Sequence, residues 1–271
     1  LSINPVFNDL FESYNRAIQE KCEQSMGIVK NFSDFEALIN DARSSWEEKD
    51  FKGKLPSEFF TTLKTEVDFK EAFEKAAVVC DEFIPESFVK SIINSGHMNI
   101  IENHAFSDSP IDMKNAAIKI LGISGSESYT GNLIELLYSE GEYGELLKET
   151  ARQAIIDIGT SAIPSLEENL SGKDILSDDD FHLVIALIGI DSDKKTDTVF
   201  KVLKESFRKT SDKALAARCL ADYGDGRAVP MLRSYLEKNL TKLEENTVFE
   251  LQGAVLSLGG STDGLDTPEK V

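Results

Sequence analysis

"ALAARCLADYGDGRAVPMLRSYLEK", from Ala214 to Lys238, sets out the architecture of this chain in one line. An alanine-rich run with helical period ends at Tyr223, glycine follows at Gly224, and a second apolar run starts at Val229 and Pro230. A glycine at a helix end can adopt the left-handed conformation that satisfies the last carbonyls. A proline in the first turn of the next helix costs no hydrogen bond, because its N–H would have no partner there. The stretch therefore predicts helix, stop, start, helix.

Weaker copies lie on both sides of it. "NAAIKILGISGS" (115–126), "TARQAIIDIGTS" (150–161), "FHLVIALIGIDS" (181–192) and "FELQGAVLSLGGS" (249–261) superpose with it on one glycine each. Those glycines are Gly122, Gly159, Gly189, Gly224 and Gly259, spaced 37, 30, 35 and 35 residues apart, and each is expected to end a helix. A second apolar run follows at "NLIELL" (132–137), "AIPSLEENL" (162–170), "TVFKVLKESF" (198–207) and "AVPMLRSYL" (228–236). One unit is thus a pair of antiparallel helices of about 35 residues, a common length for stacked helical repeats. Neither helix can bury its apolar face alone, so neighbouring pairs are expected to share a layered core.

The Ala214–Lys238 stretch, with its Ala-rich helix, Tyr-Gly-Asp turn and Ala-Val-Pro-x-Leu restart, resembles a HEAT repeat. The type is the short repeat of the phycobilisome-lyase-like (PBS lyase HEAT-like) family. The resemblance covers about residues 110–265, sharp in this unit, good around Gly159 and loose elsewhere. It implies an all-α fold, an armadillo-like α-solenoid or α-α superhelix. Lyase activity does not come with it, because many proteins built from such repeats do no chemistry.

The first part of the chain has a different character. Of the 16 phenylalanines, 12 precede residue 110, as does the single Trp46. With the "SDSP" punctuation at 107–110, this divides the chain into an aromatic-rich helical region, 1–109, and HEAT-like repeats, 110–271. Within the first region, Phe7, Leu10, Phe11, Tyr14, Ile18 and Cys22 share a helical face. Ser33 with Glu36, and Asp68 with Glu71, are candidate capping boxes. "FKGKLPSEFF" (51–60) breaks the helical pattern, and Ile84-Pro85 suggests a degenerate repeat at 69–95.

The net charge is −19, spread evenly: 11 basic against 20 acidic residues up to residue 110, and 18 against 28 beyond it. Nucleic-acid binding and anionic membrane surfaces both call for a basic stripe, and none is present. Cys22, Cys80 and Cys219 are far apart and lie in apolar patterns, which fits buried thiols and a reducing, cytoplasmic compartment. The start at Leu1 rather than Met suggests a trimmed or processed chain.

Candidate chemistry is sparse. His97, Glu102 and His104 could meet on one helix face, yet histidines seven apart are not the four-residue spacing of helical zinc sites. "SDDD" (177–180), before His182, reads as a helix start with favourable charge rather than a divalent-ion site. "DSDKKTD" (191–197) lacks the glycine and closing glutamate of a calcium loop. "GDG" (224–226) has no strand before it and no Lys-Ser/Thr after it, so it is a helix cap and not a phosphate cradle. No metal and no cofactor are expected.

The expectation for function is a non-enzymatic scaffold or adaptor that binds a partner protein on the concave face of the solenoid. The second helices of successive repeats commonly line that face. Assigning Leu133, Leu136, Leu166, Leu170, Leu232 and Leu236 to the core leaves Glu135, Tyr138, Glu167, Glu168, Arg233 and Glu237 as candidate binding residues. Such a surface would prefer a basic or mixed-charge protein segment. The alternative is a lyase-like or chaperone-lyase enzyme acting on a chromophore or modified protein, which would need an apolar cleft with convergent polar groups.

Overall fold

A computed structural model describes residues 65–79 and 86–265, together with 12–13, 16–23, 37–38, 41–42, 45, 61 and 63. Among these residues the structure is helical, with a single isolated bridge between Leu176 and Thr210 and no strand. The all-α class follows. No helix among the described residues is long and apolar enough to cross a membrane. The Ser33–Glu36 box, the 51–60 break, Cys80 and the Ile84-Pro85 junction lie outside the described residues.

The chain divides into two compact units, Leu1–Ser124 and Gly125–Val271, while the sequence boundary at 109/110 falls at the start of a helix inside the first. That unit contains α1 (Glu66–Val79), α2 (Glu86–Ile93), α3 (Met98–Phe106) and α4 (Ile111–Ile123). α4 packs against both α3 and α1. Phe69, Phe73, Ile101, Ile118 and Leu121 are buried there. The cap of α1 sits one turn earlier than the sequence suggested. Asp68 N–H donates to Thr65 Oγ1 at 3.1 Å, and the Thr65 hydroxyl donates to Asp68 Oδ2 at 2.7 Å. Asp68 is thus the reciprocal partner of a cap at Thr65 rather than the cap itself.

His97, which precedes α3, and His104 within it both serve packing. The His97 ring lies 5.0 Å from Phe69 and the His104 ring 5.3 Å from Phe73, both tilted. His104 is buried and its Nδ1 shares a hydrogen with Ser109 Oγ at 3.2 Å. Burial pushes its pKa down, the direction expected for an imidazole held neutral.

The second unit runs α5 (Thr130–Leu136), α6 (Gly144–Ile158), α7 (Ile163–Ser171), α8 (Phe181–Asp191), α9 (Asp197–Lys209), α10 (Lys213–Tyr223), α11 (Val229–Asn239) and α12 (Glu245–Ser257). Its contacts follow an alternating rule. α6, α8, α10 and α12 touch in succession, and so do α5, α7 and α9. The main neighbours of every helix in this unit are the next one or two along the chain. Leu133, Leu166, Leu170, Leu232 and Leu236 are all buried, each contributing about 1.5–3 kcal/mol by leaving water. Leu136 is only half-buried: α5 ends there, and Leu137, just past the end, turns fully inward in its place.

The glycines divide into two kinds. Gly159, Gly224 and Gly259 take positive φ (80, 72 and 81°) at helix ends, where the sequence placed stops. Gly122 and Gly189 do not: both lie inside helices, α4 and α8. The left-handed positions after those helices belong to Gly125 (φ 70°) and Lys195 (φ 50°). Gly189 is instead a close-approach residue, because a Cβ there would stand 2.6 Å from Ile156 Cδ1 on α6. Lys195 adopts a backbone that side chains disfavour, and its neighbours hold it there. Its N–H donates to Asp191 O at 2.8 Å and its Nζ donates to Gly224 O at 2.7 Å. Pro164 and Pro230 occupy the first turns of α7 and α11, as their sequence positions required.

Candidate functional site

The acidic run at 177–180 folds into a clasp. Asp180, at 2% exposure, accepts the N–H and hydroxyl of Ser177 at 2.8 and 2.9 Å, the Tyr138 hydroxyl at 2.8 Å, and the Lys173 ammonium. Lys173 Nζ also donates to Tyr138 Oη at 3.1 Å and stands 4.9 Å from the centre of its ring. Burial alone would raise the Asp180 pKa, but these hydrogen bonds outweigh it and hold the carboxyl below its usual value. Burial, then the bond to Asp180, pushes the Tyr138 phenol up. Burial opposes the charge on Lys173, yet its bonds to Asp180 and Tyr138 raise it. Phenol neutral, ammonium charged and carboxylate charged is a resting arrangement: neither Tyr138 nor Lys173 is poised as a base or nucleophile at neutral pH. The group ties the chain after α5 to the start of α8.

Its neighbours are paired as well. Lys148 Nζ reaches Asp179 at 2.8 Å and Glu145 at 3.1 Å, and Arg152 lies 3.3 Å from His182 Nδ1. Burial, with Arg152 and Lys148 close by, pushes the His182 pKa down. Among the described residues, no three His, Cys, Asp or Glu side chains are grouped to hold a metal ion.

A second network closes the α8–α10 junction from within. Asp191 is fully buried, and its Oδ2 accepts the Thr196 N–H, the Thr196 hydroxyl and the Tyr223 hydroxyl, each at 2.8 Å. Its Oδ1 has no partner. On the rim, Arg227 grips Asp225 through Nε and Nη2 at 2.8 and 2.6 Å, also bonds Asp197, and lies 4.4 Å from the centre of the Phe200 ring. The Arg227 guanidinium holds the Asp225 carboxyl below the usual carboxylate range. "GDG" and "DSDKKTD" are therefore consumed by the junction they border.

The remaining arrangement faces solvent. A groove of 540 Å³ opens between α7 and α9. Pro164, Glu167 and Glu168 form the α7 wall, Lys201, Glu205 and Lys209 the α9 wall, and Leu170 and Val202 also line it. Polar neighbours engage two of these five charged groups. Glu205 pairs with Arg208, and Lys209 Nζ donates to Leu170 O and Ser171 O, both at 3.3 Å, covering the C-terminal carbonyls of α7. Glu167, Glu168 and Lys201 have no side-chain hydrogen bond or ion pair among the described residues; Glu167 is half-buried and Glu168 exposed.

Of the six residues nominated from sequence, the structure brings Glu167 and Glu168 together in this groove. Glu135 is exposed on α5, outside it. Tyr138 turns inward to Asp180. Arg233 donates to Ser261 O and to Asp263 O, the latter at 3.3 Å, and lies 3.5 Å from Glu237, so it fastens the segment after α12 onto α11. Sequence reasoning passed over Lys201 and Lys209. The signal for Lys201 was present in "TVFKVLKESF" (198–207), whose polar positions recur every three to four residues on a helix already identified, and Lys209 follows two residues beyond it.

No family model, curated protein or solved structure matches this chain.

Proposed function

We propose that the second unit is a short HEAT-like α-solenoid and that the protein is a non-enzymatic scaffold binding a partner protein through its second-helix row. The solenoid reading is supported by the alternating helix contacts and by glycine and proline punctuation recurring near 35 residues. The groove between α7 and α9 carries the functional reading. There, carboxylates without internal partners stand beside exposed aliphatic surface, while the polar clusters elsewhere in the unit are turned on themselves.

The test is site-specific photo-crosslinking in the native cell. A benzophenone amino acid is placed at position 168 in the second-helix row, or at exposed position 218 on α10 in the other row. One stoichiometric protein adduct from position 168 and none from 218 is the expected outcome. Adducts from 218 alone, or from neither, would remove the proposal.

A further inference from the structure

We propose that His182 is a proton-operated latch between α6 and the first turn of α8, closed while its imidazole is neutral and released when it is protonated. The device stands apart from the scaffold reading and does not rest on it.

Hydrogen-bond chemistry fixes the closed state. The half-buried His182 ring meets Arg152 Nη1 through Nδ1 at 3.3 Å. A guanidinium only donates, so Nδ1 must offer its lone pair and the ring proton sits on Nε2. A proton added to Nδ1 abolishes this bond and sets two cations against each other. The place in the helix adds a second penalty. His182 is the second residue of α8, where the helix dipole disfavours positive charge. The N–H groups of Phe181, His182 and Leu183 close this turn on the carbonyls of Asp178, Asp179 and Asp180, each at 3.1 Å.

The surrounding charges do not reverse this. Arg152 and Lys148 of α6 oppose a protonated ring, while Glu145 of α6 and Asp179 before α8 favour it. Lys148 already engages both carboxylates, and Glu149 is held by Arg152. Burial, then the two cations, therefore keep the imidazole below its ordinary value. Its contribution is full above the unfolded histidine value of about 6.5 and is lost as pH falls through the lower folded value. Asp157, further along α6, has its carboxyl raised by burial and so acts with the opposite sign, stabilising as pH falls. The chain has three histidines, and His97 and His104 belong to the first unit. His182 is thus the histidine that gives the second unit a response in this range.

The experiment follows the full chain between about pH 8 and 5. Ring-nitrogen NMR shifts should show His182 as the Nε2–H tautomer at the upper end and titrating below the ordinary histidine value. Hydrogen exchange, corrected for intrinsic rates, reads the latch itself. Protection of the Phe181, His182 and Leu183 amides should fall about threefold across the range, the scale of one half-exposed charged contact. His182→Gln keeps an acceptor for Arg152 and removes the titration, so protection should stay at its neutral level throughout. Arg152→Met removes the donor and the like charge, so the slope should shrink and the His182 midpoint rise. An Nδ1–H tautomer, a midpoint at or above the ordinary value, unchanged protection in the parent chain, or an undiminished slope in His182→Gln would each overturn the latch.

Discussion

Tyr223→Phe removes one oxygen from the middle of the second unit and leaves the ring in place. Its hydroxyl donates to Asp191 Oδ2 at 2.8 Å, and the same carboxylate is fully buried with Oδ1 already unpartnered. After the substitution only the Thr196 N–H and hydroxyl would remain to stabilise that charge. The area buried by the ring is unchanged, so the loss is almost wholly the hydrogen bond. A bond to a charged, buried acceptor is worth about 1.5–3 kcal/mol, and stability should fall by about 2 kcal/mol. Two compact units make a single global unfolding curve a poor readout. Native-state hydrogen exchange resolves the junction: amides of α8, α9 and α10 should lose protection by about 30-fold, the equivalent of that energy. Tyr235→Phe is the internal control. Tyr235 packs edge-on against Phe207 at 5.2 Å and its hydroxyl has no hydrogen bond among the described residues, so protection should hardly change. If Tyr223→Phe costs less than about 0.5 kcal/mol, within the usual scatter of surface substitutions, the carboxylate does not depend on the phenol and the account of this junction is wrong.

Three further outcomes follow from the same geometry. Asp180 has a depressed pKa in the folded chain, so its contribution is full above the unfolded carboxyl value of about 3.9 and is lost as pH falls through the folded value. Acid titration followed by hydrogen exchange should therefore open α8 below about pH 4, and Asp180→Asn should flatten that response while costing about 2 kcal/mol at neutral pH. Gly189→Ala should destabilise by about 1 kcal/mol, since crowding against Ile156 exceeds the gain in helix propensity. Gly253→Ala, on a helical site with nothing within 4 Å, should stabilise by about 1 kcal/mol, and opposite signs in chemical denaturation check the pair. Burial pushes the Cys219 thiol up to about 12, so in a Cys80→Ser background Ellman's reagent should reach Cys22 first and Cys219 only on unfolding.

Much of the fold could be read from local chemistry. A glycine that must take positive φ and a proline that needs no donor leave unmistakable signals, and Gly159, Gly224, Pro164 and Pro230 all sit where those signals placed them. Gly122 and Gly189 misled for a physical reason. A glycine chosen for closeness to a neighbouring helix and one chosen for its backbone both follow an apolar helical run, and only the three-dimensional approach to Ile156 tells them apart. Lys195 was invisible because its strain is offset by bonds to Asp191 and Gly224, four and 29 residues away. The groove was half legible. Glu167 and Glu168 could be named as polar positions, but their convergence with Lys201 and Val202 depends on the rotation of two helices about their own axes, which periodicity leaves undetermined. Tyr138 and Arg233 were nominated as surface and found occupied, because a polar helix position says nothing about the loop that folds back over it.

The nearest-neighbour wiring of the second unit also decides how it bears a load. Among the described residues, a pull applied at α5 and α12 reaches each helix mainly through the one or two that adjoin it. Elements joined in series add their compliances, so the softest junction dominates the response. The two ionic clasps, Lys173 with Asp180 and Arg227 with Asp225, fasten two of those junctions.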